Sequence, residues 1–210
     1  MKTTFGLGYQ GSKNRIAKDI IGVLPGGERF VDLFAGGCSM THCAMLSLKY
    51  NRFLANDIDG RIPQTFKDAI DGKYADERRW ISRDEFFKLK DSDMYARLCF
   101  SFGNNQKTYM YNPNLEPYKK ACHYAIVFDE WDEYKRLCPE TVEVAMNALD
   151  GLPFDDWKQI KERRMKFGPS VVNEVKRLEL SEDAIMSNPL YKSIKKRQRK
   201  SLQPTYLESL

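Results

Sequence analysis

The sequence predicts an α/β protein, with a parallel sheet in its first third and mostly helices after it. Three observations predict this. Two short apolar runs, Arg29–Phe34 and Arg52–Ala55, flank a stretch with helical spacing. Strand, helix and strand within about thirty residues imply parallel pairing through a right-handed crossover. The first run ends in Ala35-Gly36-Gly37, a tight turn, and the second ends in Asn56-Asp57. Beyond Asp129, apolar residues recur at helical spacing as far as Leu180.

The elements follow in order. Ser12 is a candidate helix cap, and Ile16, Ile20, Val23 and Leu24 recur behind it until Pro25-Gly26-Gly27 stops the helix. Arg29-Phe30-Val31-Asp32-Leu33-Phe34 reads as a buried strand. A second helix starts near Ser39, with Met40, Cys43, Ala44 and Leu48 on one face. The third carries Pro63 near its start, with Phe66 and Ile70 four apart. Ser82 and Glu85 have capping-box spacing ahead of Phe86 and Phe87. Residues 99–128 are rich in aromatics, Asn and Lys without a helical period, and read as loops and short strands. Trp131, Tyr134 and Leu137 share one helical face, and Val142, Ala145 and Leu149 another. Pro139, Gly151-Leu152-Pro153 and Gly168-Pro169 divide this region into short helices.

Composition narrows the function classes. With 210 residues and 42% hydrophobic content the chain can bury a core. No apolar run approaches the ~18 residues of a membrane span, and the N-terminus has no hydrophobic signal core. The five cysteines are scattered without a C-x-x-C, against a zinc ribbon or a disulfide framework. A reduced, cytoplasmic setting is expected. The net charge of +5 is uneven: residues 1–155 hold 21 basic and 22 acidic side chains, residues 156–200 hold 13 and 6. A basic segment on a near-neutral body suggests a polyanionic partner, and equally fits a solvated charged helix.

The chemistry concentrates in Phe30-Val31-Asp32-Leu33-Phe34-Ala35-Gly36-Gly37. A strand delivers an acid and an aromatic into a glycine turn that opens a helix, where a ligand can approach bare backbone. Asp57 follows Gly37 by twenty residues. At the end of the next strand its carboxylate can accept hydrogen bonds from both hydroxyls of an adenosine ribose. Asp59 is a competing candidate, and a helix cap is the plain alternative for Asp57. The pattern lacks a full G-x-G-x-x-G, which favours an adenosine ligand without a pyrophosphate, such as S-adenosylmethionine.

Gly8-Tyr9-Gln10-Gly11-Ser12-Lys13, then Asp32-Leu33-Phe34-Ala35-Gly36-Gly37, then Asn56-Asp57-Ile58-Asp59 resembles the motif order of the DNA adenine methylase (Dam) family of S-adenosylmethionine-dependent methyltransferases. The resemblance covers about the first 75 residues by motif, and residues 83–190 by position and composition. It implies a partial Rossmann-like S-adenosylmethionine-binding methyltransferase sheet with a mostly helical inserted target-recognition domain. The expected bounds are 1–82 for the N-terminal part of the methyltransferase domain, 83–191 for target recognition, and 192–210 for a basic tail leading into a repeat-like segment that begins at Leu207. Tyr9 and Lys13 would then lie near the methionine end of the cofactor. Asp32, Phe34, Ala35 and Gly36 would shape the pocket wall, Asp57 would hold the ribose, and Ile58 would lie against the adenine. The implied activity is methyl transfer to the exocyclic amino group of adenine in double-stranded DNA, by a cytoplasmic, bacterial or phage-encoded enzyme.

The region after residue 99 then reads as the DNA reader. Asn105, Lys107, Tyr109, Tyr111, Lys119 and Lys120 are its candidate contacts, amid further tyrosines and asparagines. Asn can pair with adenine edges, Lys with phosphates, and aromatics with an extruded base. The family's catalytic D-P-P-Y is absent. Its nearest counterpart is Ser187-Asn188-Pro189-Leu190-Tyr191, which makes Asn188, Pro189 and Tyr191 the catalytic candidates; a helix stop is the plain alternative. The sequence therefore carries the expectation of a missing C-terminal part, with an open sheet edge and apolar face, and of a complementing methyltransferase segment as partner. A non-catalytic cofactor- or DNA-binding module is the alternative. A nucleic-acid-binding factor acting through Lys195, Lys196, Arg197, Arg199 and Lys200 is a third reading.

Overall fold

The computed structural model describes residues 4–178 and 180–201, with side chains as far as position 196. The chain divides into two compact units, Met1–Glu77 with Ile81–Tyr111, and Arg78–Trp80 with Asn112–Leu210. Leu207 and the repeat-like segment lie outside the described residues, as do the side chains of Arg197, Arg199 and Lys200. Among the described residues no helix is long and apolar enough to cross a membrane.

The first unit is mixed α/β. Strands β1 (Gly27–Asp32) and β2 (Tyr50–Ala55) pair in parallel, Gly27 opposite Tyr50 and Asp32 opposite Ala55. Between them runs α2 (Ser39–Leu46), and before them α1 (Ala17–Val23). Alternation along β1 sends Phe30 inward onto Ala17, Ile21, Cys43 and Ala44, so α1 and α2 cover one sheet face. Lys49 secures the end of α1, its Nζ donating to the carbonyls of Ile21, Gly22 and Leu24. On the other face Val31 and Leu54 are 46% and 52% exposed. The strand expected to be buried is thus buried on one face and open on the other. Parallel sheets are ordinarily covered on both.

Helix α1 starts later than the Ser12 signal. Ile16 holds the cap position without a side-chain cap, while Ser12 Oγ accepts from the Asn14 amide inside a turn. Asn14 is the anchor there: its side chain exchanges two hydrogen bonds with the Phe5 backbone. Leu48 lies beyond the end of α2, 90% exposed at positive φ, and so is not on the helix face expected for it. Helix α3 (Arg61–Ile70) buries Ile62 and Phe66, and Phe66 packs on Ala35 and Cys38. Helix α4 (Arg83–Leu89) begins with the expected capping box between Ser82 and Glu85. Helix α5 (Met94–Cys99) is capped by Asp93. Behind it a 3-10 turn (Phe102–Asn104) reverses the chain, with an antiparallel bridge between Ser101 and Tyr109.

The second unit is helical: α6 (Glu116–Phe128), α7 (Asp132–Leu137), α8 (Val142–Leu149), α9 (Trp157–Arg177), α10 (Glu182–Ser187) and α11 (Pro189–Ser201). Helix α6 falls in a stretch expected to be loops. Its Ala121, Cys122, His123, Ala125, Ile126 and Val127 are all buried, so it shows no amphipathic period. Gly168-Pro169 does not break the chain as expected, since α9 runs through it. An interior proline costs ~3 kcal/mol, whereas burying Ile160, Phe167, Val171 and Val175 returns roughly 1.5–3 kcal/mol each. Arg163, 1% exposed, closes the end of α6. Its guanidinium donates to the carbonyls of Ala125 and Ile126, to Leu152 O and to Asp129.

Candidate functional site

The site forms where the two parallel strands end. Pairing continues past β1 and β2: Asn56 N donates to Asp32 O, Ala35 N to Asn56 O, and the Asn56 side chain to Leu33 O. These bonds hold the bend Leu33–Cys38 against the Asn56-Asp57 segment. Asp57 then reaches across, and its Oδ2 accepts from the Gly36 amide at 2.8 Å. Its Oδ1 accepts from Asp59 N at 3.2 Å. The glycine bend and the carboxylate that sequence spacing pairs are therefore in direct contact.

The bend requires its glycines. Gly36 sits at φ +48°, and a Cβ there would meet the Tyr9 ring at 3.2 Å. A Cβ on Gly37 would lie 2.7 Å from both Leu7 O and Tyr9 Cβ. The N-terminal segment is laid over the bend by two further bonds: Leu7 N donates to Gly37 O, and Gly6 N donates to His42 Nδ1 at 2.9 Å. His42 must be unprotonated at that atom to accept, and burial pushes its pKa below the ordinary histidine value. Asp32 is held by Thr41, whose hydroxyl donates to Asp32 Oδ2 at 2.8 Å. Cys38, buried at the head of α2, has its thiol pushed up to about 12, first by burial and then by the charges of Asp32 and Asp57. It is a packing thiol rather than a nucleophile.

Asp59 differs from Asp57. Arg61 engages both its oxygens at 2.8 Å, and Arg97 lies 3.3 Å away. The hydrogen bond from Arg61 is the main cause that holds its pKa below the usual carboxylate value. Asp57 accepts only from backbone amides among its described partners. A carboxylate offers about four acceptor directions, so it has room for two more donors.

The other cofactor candidates take distinct positions. Tyr9 packs on the bend, and Ala35, within the bend, is buried against Phe66 of α3. Phe34 is 91% exposed and Ile58 fully exposed, so both present bare apolar surface beyond the strand ends. Lys13 is exposed in the turn before α1.

The DNA candidates divide between the two units. In the first, Lys107 is exposed near the tip of the reversal, while Asn105 is occupied in folding it. Asn105 Oδ1 accepts from the amides of Lys107 and Thr108, and its Nδ2 donates to Thr108 Oγ1. Tyr109 is buried and its hydroxyl donates to Ile81 O. Tyr111 is half-buried against Tyr109. In the second, Lys119 is half-buried and Lys120 exposed, its Nζ 5.6 Å from the Tyr124 ring centre. Asn188, Pro189 and Tyr191 also belong to the second unit. Asn188 Oδ1 accepts from the amides of Leu190 and Tyr191, capping α11, and its Nδ2 donates to Leu137 O. The Tyr191 ring is buried in the core, its hydroxyl on Glu140.

Sequence reasoning missed two residues. Thr41 and His42 have no local signal, because their partners are set by where the bend and the N-terminal segment meet α2.

A glycine bend facing a carboxylate at the carboxyl ends of parallel strands is where α/β sheets place their ligands. Residues 9–140 match the family model described as D12 class N6 adenine-specific DNA methyltransferase. That span is more than half the chain and contains Tyr9, the bend and Asp57, and the chain belongs to this family. Its family activity is adenine-specific methylation of DNA. No curated protein and no solved structure matches the chain.

Proposed function

We propose that this chain binds S-adenosylmethionine at the Gly36–Asp57 site and works in the methylation of the adenine amino group in double-stranded DNA. The contact of Asp57 with the Gly36 amide carries this reading. The residues present suit the ligand. Asp57 has acceptor capacity for a vicinal diol, and side-chain-free backbone lines the bend. Phe34 and Ile58 offer apolar surface for a purine, and Lys13 a cation for a carboxylate.

When bound, S-adenosylmethionine supplies an electrophilic methyl group carried on a sulfonium. Asp57 accepts the ribose hydroxyls and fixes the nucleoside in orientation. Asp32, anchored by Thr41, adds negative charge beside the bend, where a cationic sulfur is favoured. Tyr9 and the segment above it keep water from one side. In this reading β1 and β2 are the start of a Rossmann-like sheet within residues 1–82, and residues 83–191 meet DNA. Asn105 shapes the loop that presents Lys107 and Phe102, and Lys119 and Lys120 meet phosphates.

The test is transfer of labelled methyl groups to duplex DNA containing adenine, against a duplex without it. Incorporation into the first alone is expected. Loss of cofactor binding, seen by calorimetry, overturns the reading.

The open sheet face favours a second reading, in which the chain binds cofactor and DNA while a complementing methyltransferase segment supplies the amino-group acceptors. Asn188 and Tyr191 are spent on capping and packing, consistent with that division. This reading expects binding without turnover by the chain alone, and turnover once a separate D-P-P-Y segment is added.

A further inference from the structure

We propose that a cleft in the second unit, between the approach to α6 and the first turns of α11, is a seat for the phosphodiester backbone of DNA, with Lys192 and Lys196 as its cations. The proposal rests on the methyltransferase reading and adds a contact surface to it. The cleft has a volume of about 480 Å³. Asn112, Asn114 and Leu115 line it ahead of α6, Lys192, Ser193 and Lys196 line it from α11, and Met186 and Pro189 add apolar lining.

The arrangement selects the ligand. Lys192 and Lys196 are one helical turn apart, ~6 Å along the axis at ~1.5 Å per residue, and so share a face. Both are exposed, and neither has an acidic partner within ion-pair distance among the described residues. Two unpaired ammoniums in one recess repel each other until an anion enters. The amides at the start of α11 are not the anion site, because Asn188 already accepts from Leu190 and Tyr191. Binding falls to the lysines, to the Ser193 hydroxyl and to carboxamides facing them. Asn112 Oδ1 is taken by the Leu115 amide, which leaves its NH₂ as a donor. Asn114 adds a second carboxamide.

A buried pocket for a small molecule would be mostly apolar. Here Leu115, Met186 and Pro189 line the cleft beside five side chains with donor groups, and offer apolar surface for a sugar or a base edge. Duplex DNA carries one charge per ~3.4 Å of axis on each strand, so two lysines one turn apart span one or two phosphates. The surplus of 13 basic over 6 acidic residues in 156–200 extends the same field.

The test uses the full chain and a fluorescent duplex, titrated over a range of salt. Lys192→Gln with Lys196→Gln should lower affinity equally for every duplex sequence. It should also make the slope of log K against log salt shallower by about 0.9–1.8, at ~0.9 per phosphate contact for one or two phosphates. Cofactor binding and the melting temperature should not move. A control pair on α9, Lys158→Gln with Lys161→Gln, removes the same charge and should leave the slope near that of wild type. If both pairs change it equally, only diffuse charge is at work and the cleft is not a seat. If inorganic phosphate or a mononucleotide shifts the cleft amide resonances while the double variant binds duplex like wild type, the cleft takes a free phosphate and the DNA assignment is wrong. A wild-type chain that binds no duplex overturns this proposal together with the methyltransferase reading. Normal duplex binding by the double variant overturns this proposal alone.

Discussion

Replacing Asp57 with alanine separates the carboxylate's two jobs. In the folded chain it accepts from Gly36 N at 2.8 Å and from Asp59 N at 3.2 Å. Both bonds are at a half-buried residue, so water can replace the lost oxygen, and the expected stability loss is about 1–2 kcal/mol. The ligand loses more. Two hydroxyls donating to an ionised carboxylate make charge-assisted bonds worth ~1.5–3 kcal/mol each. Their removal costs about 3–6 kcal/mol of binding, or roughly a hundred- to ten-thousandfold in Kd at ~1.4 kcal/mol per decade. Calorimetry of S-adenosylmethionine binding to wild type, Asp57→Ala and Asp59→Ala reads this directly. Asp59 is held by Arg61 and Arg97, so its removal should leave the affinity within a fewfold of wild type. Should Asp57→Ala bind within threefold of wild type while Asp59→Ala loses the ligand, the site is assigned to the wrong carboxylate.

Further predictions concern the scaffold. Gly37→Ala forces a methyl to 2.7 Å from Leu7 O and Tyr9 Cβ. It should cost ~1–3 kcal/mol in urea unfolding and weaken cofactor binding as the N-terminal segment lifts; an unchanged denaturation midpoint would contradict the packing described. Arg163→Met leaves the carbonyls of Ala125, Ile126 and Leu152 without their side-chain donor and Asp129 with the Trp131 indole N–H in place of an ion pair, and should destabilise the second unit by about 3 kcal/mol or more, visible as an early calorimetric transition. His42 has a folded pKa below the ordinary value of 6.5, so its contribution is complete above that value and lost as pH falls through the lowered one. Melting temperature should therefore drop on acidification below about pH 6.5, and drop less in His42→Gln. His123 in the second unit is also depressed, chiefly by burial, and shares this window, so part of the drop persists in His42→Gln; the window of Asp59 lies below 3.8 and does not overlap. Equal losses in wild type and His42→Gln over the histidine window would remove His42 as the cause.

The first unit was largely legible because its signals are local. A glycine bend, an apolar run and an acid at a strand end are each fixed by backbone sterics and short-range pairing, and their spacing implied the parallel pair. Helix α4 was legible for the same reason: Ser82 and Glu85 carry their own cap. Helix α6 was hidden because burial on all sides erases the period that announces a surface helix. The continuity of α9 through Pro169 was hidden because packing outweighs a local break, and a sequence window cannot weigh the two.

By itself the sequence determined the bend, the acid that faces it and the order of motifs that marks the family, since all depend on residues near one another along the chain. Only the tertiary structure decided that Asp57 rather than Asp59 stays clear of arginine. It alone laid Tyr9 over Gly36, set His42 to hold the N-terminal segment, and committed Asn188 and Tyr191 to a helical core. Each of these depends on which distant atoms arrive within hydrogen-bonding reach, and no residue encodes that alone.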